Sequence, residues 1–159
     1  MTRHPQPIRL GTPHKRALYA VFLVLWGSGA LWLLFHYFLR MAGEFGDAAH
    51  PLEAWWLRLH GLAGFAALVI VGTVLPVHVS RAWQLGKNRR SGLAMKAWLL
   101  WLAATGYALY YFASEANEAW LPLAHWIAGL ALPLAGLFHV RLGRRRAPRS
   151  PRRQAALGA

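Results

Sequence analysis

Four histidines of this 159-residue chain form two pairs, each inside a long stretch without charged residues. His60 and His78 are eighteen residues apart, which returns to the same face of an α-helix at 100° per residue. His125 and His139 are fourteen residues apart and within about 40° of a common face. Imidazole nitrogens bind transition metals and haem iron. The spacing therefore predicts two helices that each carry a ligand at two levels.

A haem iron with two axial imidazoles takes one from each side of a wide, flat ring, so its ligands must come from facing helices with little bulk beside them. We predict two haem b groups: one at an outer level, between His60 and His125, and one at an inner level, between His78 and His139. On the predicted ligand faces, mostly small residues separate the histidines: Gly64, Ala67, Val71 and Val74 in one stretch, and Gly129, Leu132 and Gly136 in the other.

Arginines lie close to the predicted ligands and are candidates for pairing with the anionic haem propionates. Arg81 and Arg141 follow the two inner histidines by three and two residues. Arg40 and Arg58 are the corresponding candidates at the outer level.

Other interpretations of the histidines stay open. A histidine in a membrane helix often only forms a hydrogen bond between helices. His36 is a possible outer ligand in place of His60 or His125, a group on a quinone or proton path, or a simple interfacial residue. A single haem or a metal bound by His36, His60 and His125 is a further alternative. His50 lies in an acidic loop and is interpreted either as a metal or proton-entry site or as a solvated loop residue.

Four apolar blocks fill most of the chain and account for its 57% hydrophobic content. Each is long enough, or nearly so, to cross a bilayer. We predict an all-α, integral membrane four-helix bundle over residues 17–142, between a basic tail at 1–16 and an Arg- and Pro-rich tail at 143–159. The predicted spans are 17–39, 57–80, 94–114 and 119–141.

The charged residues are distributed unevenly between the two predicted membrane faces. Sixteen of the eighteen basic residues fall in the two tails and the middle connection, whereas all five acidic residues fall in the other two connections. The positive-inside rule then places both termini in the cytoplasm. We expect the membrane to be a bacterial inner membrane. The basic tail next to a span predicts contact with anionic lipid and not with nucleic acid.

The chain contains no cysteine, which excludes disulfides, iron–sulfur clusters, thiolate zinc sites and covalently attached haem.

A weak internal repeat is also visible. His60 lies four residues after Trp56, and His125 lies five residues after Trp120. His78 is followed by Val-Ser-Arg, and His139 is followed by Val-Arg. This pattern indicates duplication of a two-helix unit.

With its four histidines at His60, His78, His125 and His139, the chain resembles the bacterial membrane-bound b-type cytochromes, small four-helix subunits whose paired histidines hold two haems. The resemblance implies electron transfer between a quinol and a partner redox protein, and a role as the membrane subunit of an oxidoreductase. The alternative is a haem-free membrane scaffold or assembly subunit, because no catalytic acid, base or nucleophile is visible.

Overall fold

The computed structural model describes residues 11–84 and 89–145, apart from the side chains of 77, 78, 81, 82, 144 and 145, and this part of the chain is almost entirely helical. It contains four long helices, one short helix, one wide helical turn and two short strands. In chain order these are α1 (Thr12–Phe38), β1 (Met41–Gly43), β2 (Gly46–Ala48), α2 (Pro51–Val74), a π-helical turn (Leu75–Val79), α3 (Ser80–Gln84), α4 (Arg89–Tyr111) and α5 (Trp120–Arg145).

The long helices pack as two antiparallel hairpins, α1 with α2 and α4 with α5. A further contact between α1 and α5 joins the two hairpins. The indole Nε1 of Trp26 in α1 donates to the carbonyl oxygen of Leu130 in α5, at 3.4 Å. Within the second hairpin, Trp98 Nε1 donates to the Ala128 carbonyl at 3.1 Å. Short connections make the helices of each hairpin neighbours.

A small β-hairpin connects α1 to α2, which an all-α prediction did not include. Met41 pairs with Ala48 and Gly43 with Gly46 in an antiparallel register. Gly46 has a φ of 113°, a backbone conformation that favours glycine. The guanidinium of Arg40, a predicted propionate partner, donates to the Asp47 carbonyl at 3.2 Å and so supports this connection.

The first two helices begin earlier than hydropathy predicted. α1 starts at Thr12 with Pro13 in its first turn, so part of the predicted tail is helical. α2 starts at Pro51, and His50 caps it by accepting a hydrogen bond at Nδ1 from the Leu52 N–H at 3.1 Å. Proline in the first turn and a side-chain cap favour a helix start without adding hydrophobicity. His50 therefore has a structural role as a helix cap.

The inner end of the second predicted span is not a regular α-helix. Pro76 lies in the π-helical turn, where the Ser80 N–H reaches the Leu75 carbonyl five residues back. Such a turn holds more residues than an α-helical turn, so the angle per residue falls below 100° there. The same-face relation between His60 and His78 assumed a regular helix, and this wide turn changes it.

The surface of the described helices is strongly apolar. α1, α2 and Trp120–Gly143 of α5 are long and apolar enough to cross a membrane; α4, predicted as a span, is not among the candidates. Large side chains such as Leu23 and Phe65 are exposed over 70% and 73% of their area. The buried residues of the described part are mostly small: Ser28, Ala63, Ala67, Thr105 and Leu121.

We expect Ala67→Leu to destabilise the fold by about 1–3 kcal/mol, because a larger side chain must fit where the alanine is 7% exposed. Ala66→Leu is the matched control, since the neighbouring Ala66 is exposed. Thermal unfolding of both variants in detergent measures the difference. Equal stability of the two variants would contradict the packing described for α2.

Candidate functional site

His60 on α2 and His125 on α5 bring their imidazole rings together between the two hairpins. The ring centres are 6.2 Å apart, and the ring planes are perpendicular, at 89°. The two residues are far apart in sequence, so only the packing of the hairpins places them side by side. We define this pair as the histidine site.

The hydrogen bond of His60 determines which of its nitrogens carries the proton. Its Nδ1 lies 2.9 Å from the carbonyl oxygen of Leu25 in α1, and 3.5 Å from the Ser28 hydroxyl. A carbonyl oxygen only accepts hydrogen bonds, so Nδ1 must be the donor. In the neutral ring, the lone pair is then on Nε2, which is the atom available to bind a metal.

His125 also carries its proton on Nδ1, but its hydrogen-bond partner is different. Its Nδ1 lies 2.9 Å from the Thr105 hydroxyl in α4. That hydroxyl is 2.8 Å from the Trp101 carbonyl, to which its single proton is donated. The hydroxyl therefore accepts from His125 Nδ1–H, and Nε2 again carries the lone pair. Both rings of the histidine site are thus presented as Nε2 bases.

Two glycines allow the rings to lie against the neighbouring helices. A Cβ atom added at Gly29 in α1 would lie 2.9 Å from Cε1 of His60. A Cβ atom added at Gly106 in α4 would lie 3.2 Å from Cε1 of His125. A side chain at position 29 would collide with the ring, and one at position 106 would crowd it. Each hairpin therefore places a hydroxyl residue followed by glycine behind its histidine.

These supporting residues were missed in the sequence prediction, although each pair lies on the helix that precedes a repeated segment. Residues 53–66 and 118–131 share the pattern Glu-Ala-Trp-x4-His-x2-Ala-Gly-x-Ala. The preceding helices share a hydroxyl residue followed by glycine, and the structure places each such dipeptide behind the histidine of its own hairpin. The two hairpins share this pattern, and the corresponding supports are Ser28 with Gly29 and Thr105 with Gly106.

The residues predicted for the inner level are described only in part. His139 has a buried Nδ1 atom without a hydrogen-bond partner among the described residues. The side chains of His78 and Arg81 lie outside the described part of the structure, and Arg141 is exposed. A second haem between His78 and His139 stays a prediction.

The structure places His36 away from the histidine site. Its Nδ1 lies 2.7 Å from Oε1 of Glu53, and its ring stacks on Trp32 with centres 4.7 Å apart. Within the described residues no group of three histidine, cysteine or acidic side chains could hold a metal ion. The alternative in which His36 joins His60 and His125 around one metal therefore has no such cluster in this part of the chain.

Arg58, the other predicted partner of an outer propionate, lies over the ring of Trp55, with its guanidinium carbon 4.9 Å from the ring centre. Its side chain is exposed at the start of α2. The structure shows no contact between Arg58 and the histidine site among the described residues.

Comparison with protein-family models, with curated proteins and with solved structures finds no match to this chain. The resemblance to b-type cytochromes therefore stays a prediction, and a function must be argued from the site. The described geometry is a pair of neighbouring imidazoles, each of which donates from Nδ1 to an adjacent helix.

We expect Gly29→Ala to destabilise the first hairpin, because the added Cβ would displace the His60 ring by contact at 2.9 Å. Gly27→Ala is the matched control, since a Cβ atom there meets nothing within 4 Å and alanine is favoured in helices by about 1 kcal/mol. Thermal unfolding in detergent should place Gly29→Ala below the natural chain and Gly27→Ala at or above it. The reverse order would contradict the close approach.

Proposed function

We propose that this chain is a membrane-embedded electron carrier that binds haem b between His60 and His125. The observation that supports this most is the pair of adjacent rings, each with Nδ1 tied to a neighbouring helix and Nε2 left to bind iron. Metal-bound histidines commonly donate from the other ring nitrogen to a carbonyl or other acceptor, which fixes the ring orientation. Both rings of the histidine site meet this condition.

The separation of the rings fits an iron bound between them. An iron held by Nε2 of both rings would need ring centres about 6 Å apart, because each metal–imidazole bond is about 2 Å long and the ring centre lies about 1 Å beyond the nitrogen. The observed separation is 6.2 Å. A Cβ atom added at Gly64, one turn after His60, would meet nothing within 4 Å, so this face of α2 carries no bulk beside the ring.

Haem b supplies one-electron chemistry when bound, and two axial imidazoles favour electron transfer over oxygen binding. The residues of the chain hold and orient the ligands. The Leu25 carbonyl and the Thr105 hydroxyl keep a proton on each Nδ1, which makes Nε2 a stronger base. The apolar helix surfaces around the site limit access of water.

The membrane location and the orientation are part of the proposal. Three of the long helices have the length and composition of membrane spans. The basic residues of the tails and the middle connection favour an orientation with both termini in the cytoplasm. In a bacterial inner membrane, the outer level then lies toward the periplasm. We propose a quinol and a partner redox protein as electron donor and acceptor, and anionic lipid as the contact of the basic tail.

A haem-free membrane scaffold is the second candidate function. In that case the hydrogen bonds of His60 and His125 only join the helices of each hairpin, as histidines in membrane helices commonly do. The direct contact of the two rings is also compatible with packing alone. The two candidates differ in a simple property, since only a haem protein absorbs visible light.

The first prediction from this function is a b-type reduced-minus-oxidised spectrum of the detergent-purified protein after expression with an adequate haem supply. His125→Ala should lower the haem content by one per chain, because it removes one axial ligand of the pair. His14→Ala is the control and should leave the haem content unchanged, since His14 contacts Thr73 and not the histidine site. A colourless natural chain would contradict the proposal and support the scaffold.

The second prediction concerns the hydroxyl behind His125. Thr105→Val removes the acceptor for Nδ1–H while keeping the side-chain shape, and haem affinity should fall about 10- to 100-fold. Thr73→Val is the matched control, because that hydroxyl donates to the Ile70 carbonyl elsewhere in α2. Haem titration of the apoprotein measures both variants. Unchanged affinity in Thr105→Val would show that the hydroxyl does not support an iron ligand.

A further inference from the structure

An open groove runs between α4 and α5, with a volume of about 390 Å³. A second groove shares part of its lining and extends it along α4 to Ala94 and Ala97. We call the two together the α4–α5 groove. None of the lining residues belongs to the histidine site, so the groove is a separate feature of the second hairpin. Its lining includes Trp98 and Trp101 from α4 and Trp120, Ala124, Ala128 and Ala131 from α5.

The indole of Trp98 bridges the two helices that form the groove. Its Nε1 donates to the Ala128 carbonyl at 3.1 Å. Counted from the hydroxyl–glycine dipeptide of each hairpin, Val21 in α1 stands at the position of Trp98. Counted from the Glu-Ala-Trp segment, Ala63 in α2 stands at the position of Ala128. Ala63 is 5% exposed, whereas Ala128 is only half-buried. The larger side chain of Trp98 thus holds the second hairpin more open than the first.

The length and the chemistry of the α4–α5 groove fit a hydrocarbon chain. Its lining side chains are apolar apart from indole N–H groups, and the N–H of Trp98 is already bonded. From Trp120 to Ala131 it follows eleven residues of α5, or about 16 Å. This is about half of the roughly 30 Å hydrocarbon core of a bilayer. The groove therefore matches one acyl chain of a lipid in a single leaflet.

A free arginine lies at the inner end of the α4–α5 groove. Arg90, Ala94 and Trp101 share one face of α4 by their spacing, and one helical turn, about 6 Å, separates Arg90 from Ala94. Arg90 is exposed and forms no hydrogen bond or ion pair with the described residues. The guanidinium of Arg89, by contrast, donates twice to the Trp83 carbonyl, at 3.1 and 2.8 Å. Because helical side chains lean toward the helix N-terminus, Arg90 is directed away from the apolar lining, toward the level of lipid headgroups.

We propose that the α4–α5 groove binds one anionic phospholipid from the cytoplasmic leaflet. One acyl chain lies against Trp98 and Trp101, and the guanidinium of Arg90 donates paired hydrogen bonds to the phosphate. This site holds a single molecule on described residues, unlike the general contact of the basic tail with the membrane surface. A ligand that binds only the folded chain stabilises it, so the lipid supports the more open hairpin. The membrane location rests on the proposed function, whereas haem has no part in the site.

The headgroup contact is tested by native mass spectrometry of the full chain, delipidated in detergent and prepared with and without haem supply. The probes are phosphatidylglycerol and phosphatidylcholine with the same acyl chains. We expect one phosphatidylglycerol per chain, bound about fivefold more tightly than phosphatidylcholine, because only phosphatidylglycerol carries a net negative charge. Arg90→Gln should remove this preference. Arg16→Gln is the matched control and should keep it, since Arg16 is an exposed arginine near the start of α1.

The acyl-chain contact is tested by filling the groove. Ala97→Leu should weaken the binding of both lipids about tenfold, because the larger side chain occupies space that the chain needs. Ala20→Leu is the matched control and should bind as the natural chain does. Ala20 stands at the position of Ala97 in the first hairpin and is also exposed. Since neither alanine is buried, both variants are expected to fold.

The outcomes separate this site from the proposed function, because fractionation of cells that express the natural chain tests the membrane location independently. Selective binding of one phosphatidylglycerol in haem-free protein supports the site even if no haem is ever bound. For a chain found in membranes, no stoichiometric lipid, equal affinity for both lipids, or natural affinity in Ala97→Leu would overturn the site and leave the proposed function standing. A second chain bound in place of the lipid, and lost in Ala97→Leu, would also overturn it. A chain absent from membranes would overturn both.

Discussion

The hydrogen bond from each imidazole Nδ1 to the neighbouring helix of its own hairpin is the interaction on which the site depends. It requires an acceptor at the correct height, supplied by the Leu25 carbonyl in one hairpin and the Thr105 hydroxyl in the other. It also requires glycine at position 29, where a side chain would collide with the His60 ring, and it favours glycine at position 106, where a side chain would crowd the His125 ring. The bond settles the tautomer, so the chemistry available at Nε2 is determined before any ligand binds.

The packing of the helices follows from the same requirement for close approach. Small side chains such as Ser28, Ala63 and Ala67 occupy the buried positions, whereas large apolar side chains point outward. In water such a surface would favour aggregation, but against lipid it has no cost, and close van der Waals packing then holds helices together. The helices contact each other mainly within each hairpin and less between the hairpins. His60 and His125 occupy the space between the two hairpins.

Much of the fold could be predicted from hydrophobic blocks, because long apolar runs specify helices. The helix starts at Thr12 and Pro51 could not be predicted in this way, because helix capping and proline geometry favour a helix start without adding hydrophobic residues. The approach of His60 to His125 was expected from equal depth on parallel helices. The supports behind the rings were missed because they lie on other helices, outside the Glu-Ala-Trp repeat and at different distances from the two histidines. The wide turn at Leu75–Val79 could not be predicted from the spacing of His60 and His78, because that argument assumed a regular α-helix.

A duplication that produced the repeated pattern would have a consequence for the origin of the histidine site. His60 and His125 occupy equivalent positions in the two copies, so a single ancestral hairpin would present one histidine and its hydroxyl–glycine support. Two such chains related by a two-fold axis would bring the same histidine from each subunit to the axis. Gene fusion would then convert a symmetric dimer into one chain and free each half to change separately. The His36–Glu53 pair, found in one half only, is the kind of difference that a symmetric dimer could not have acquired.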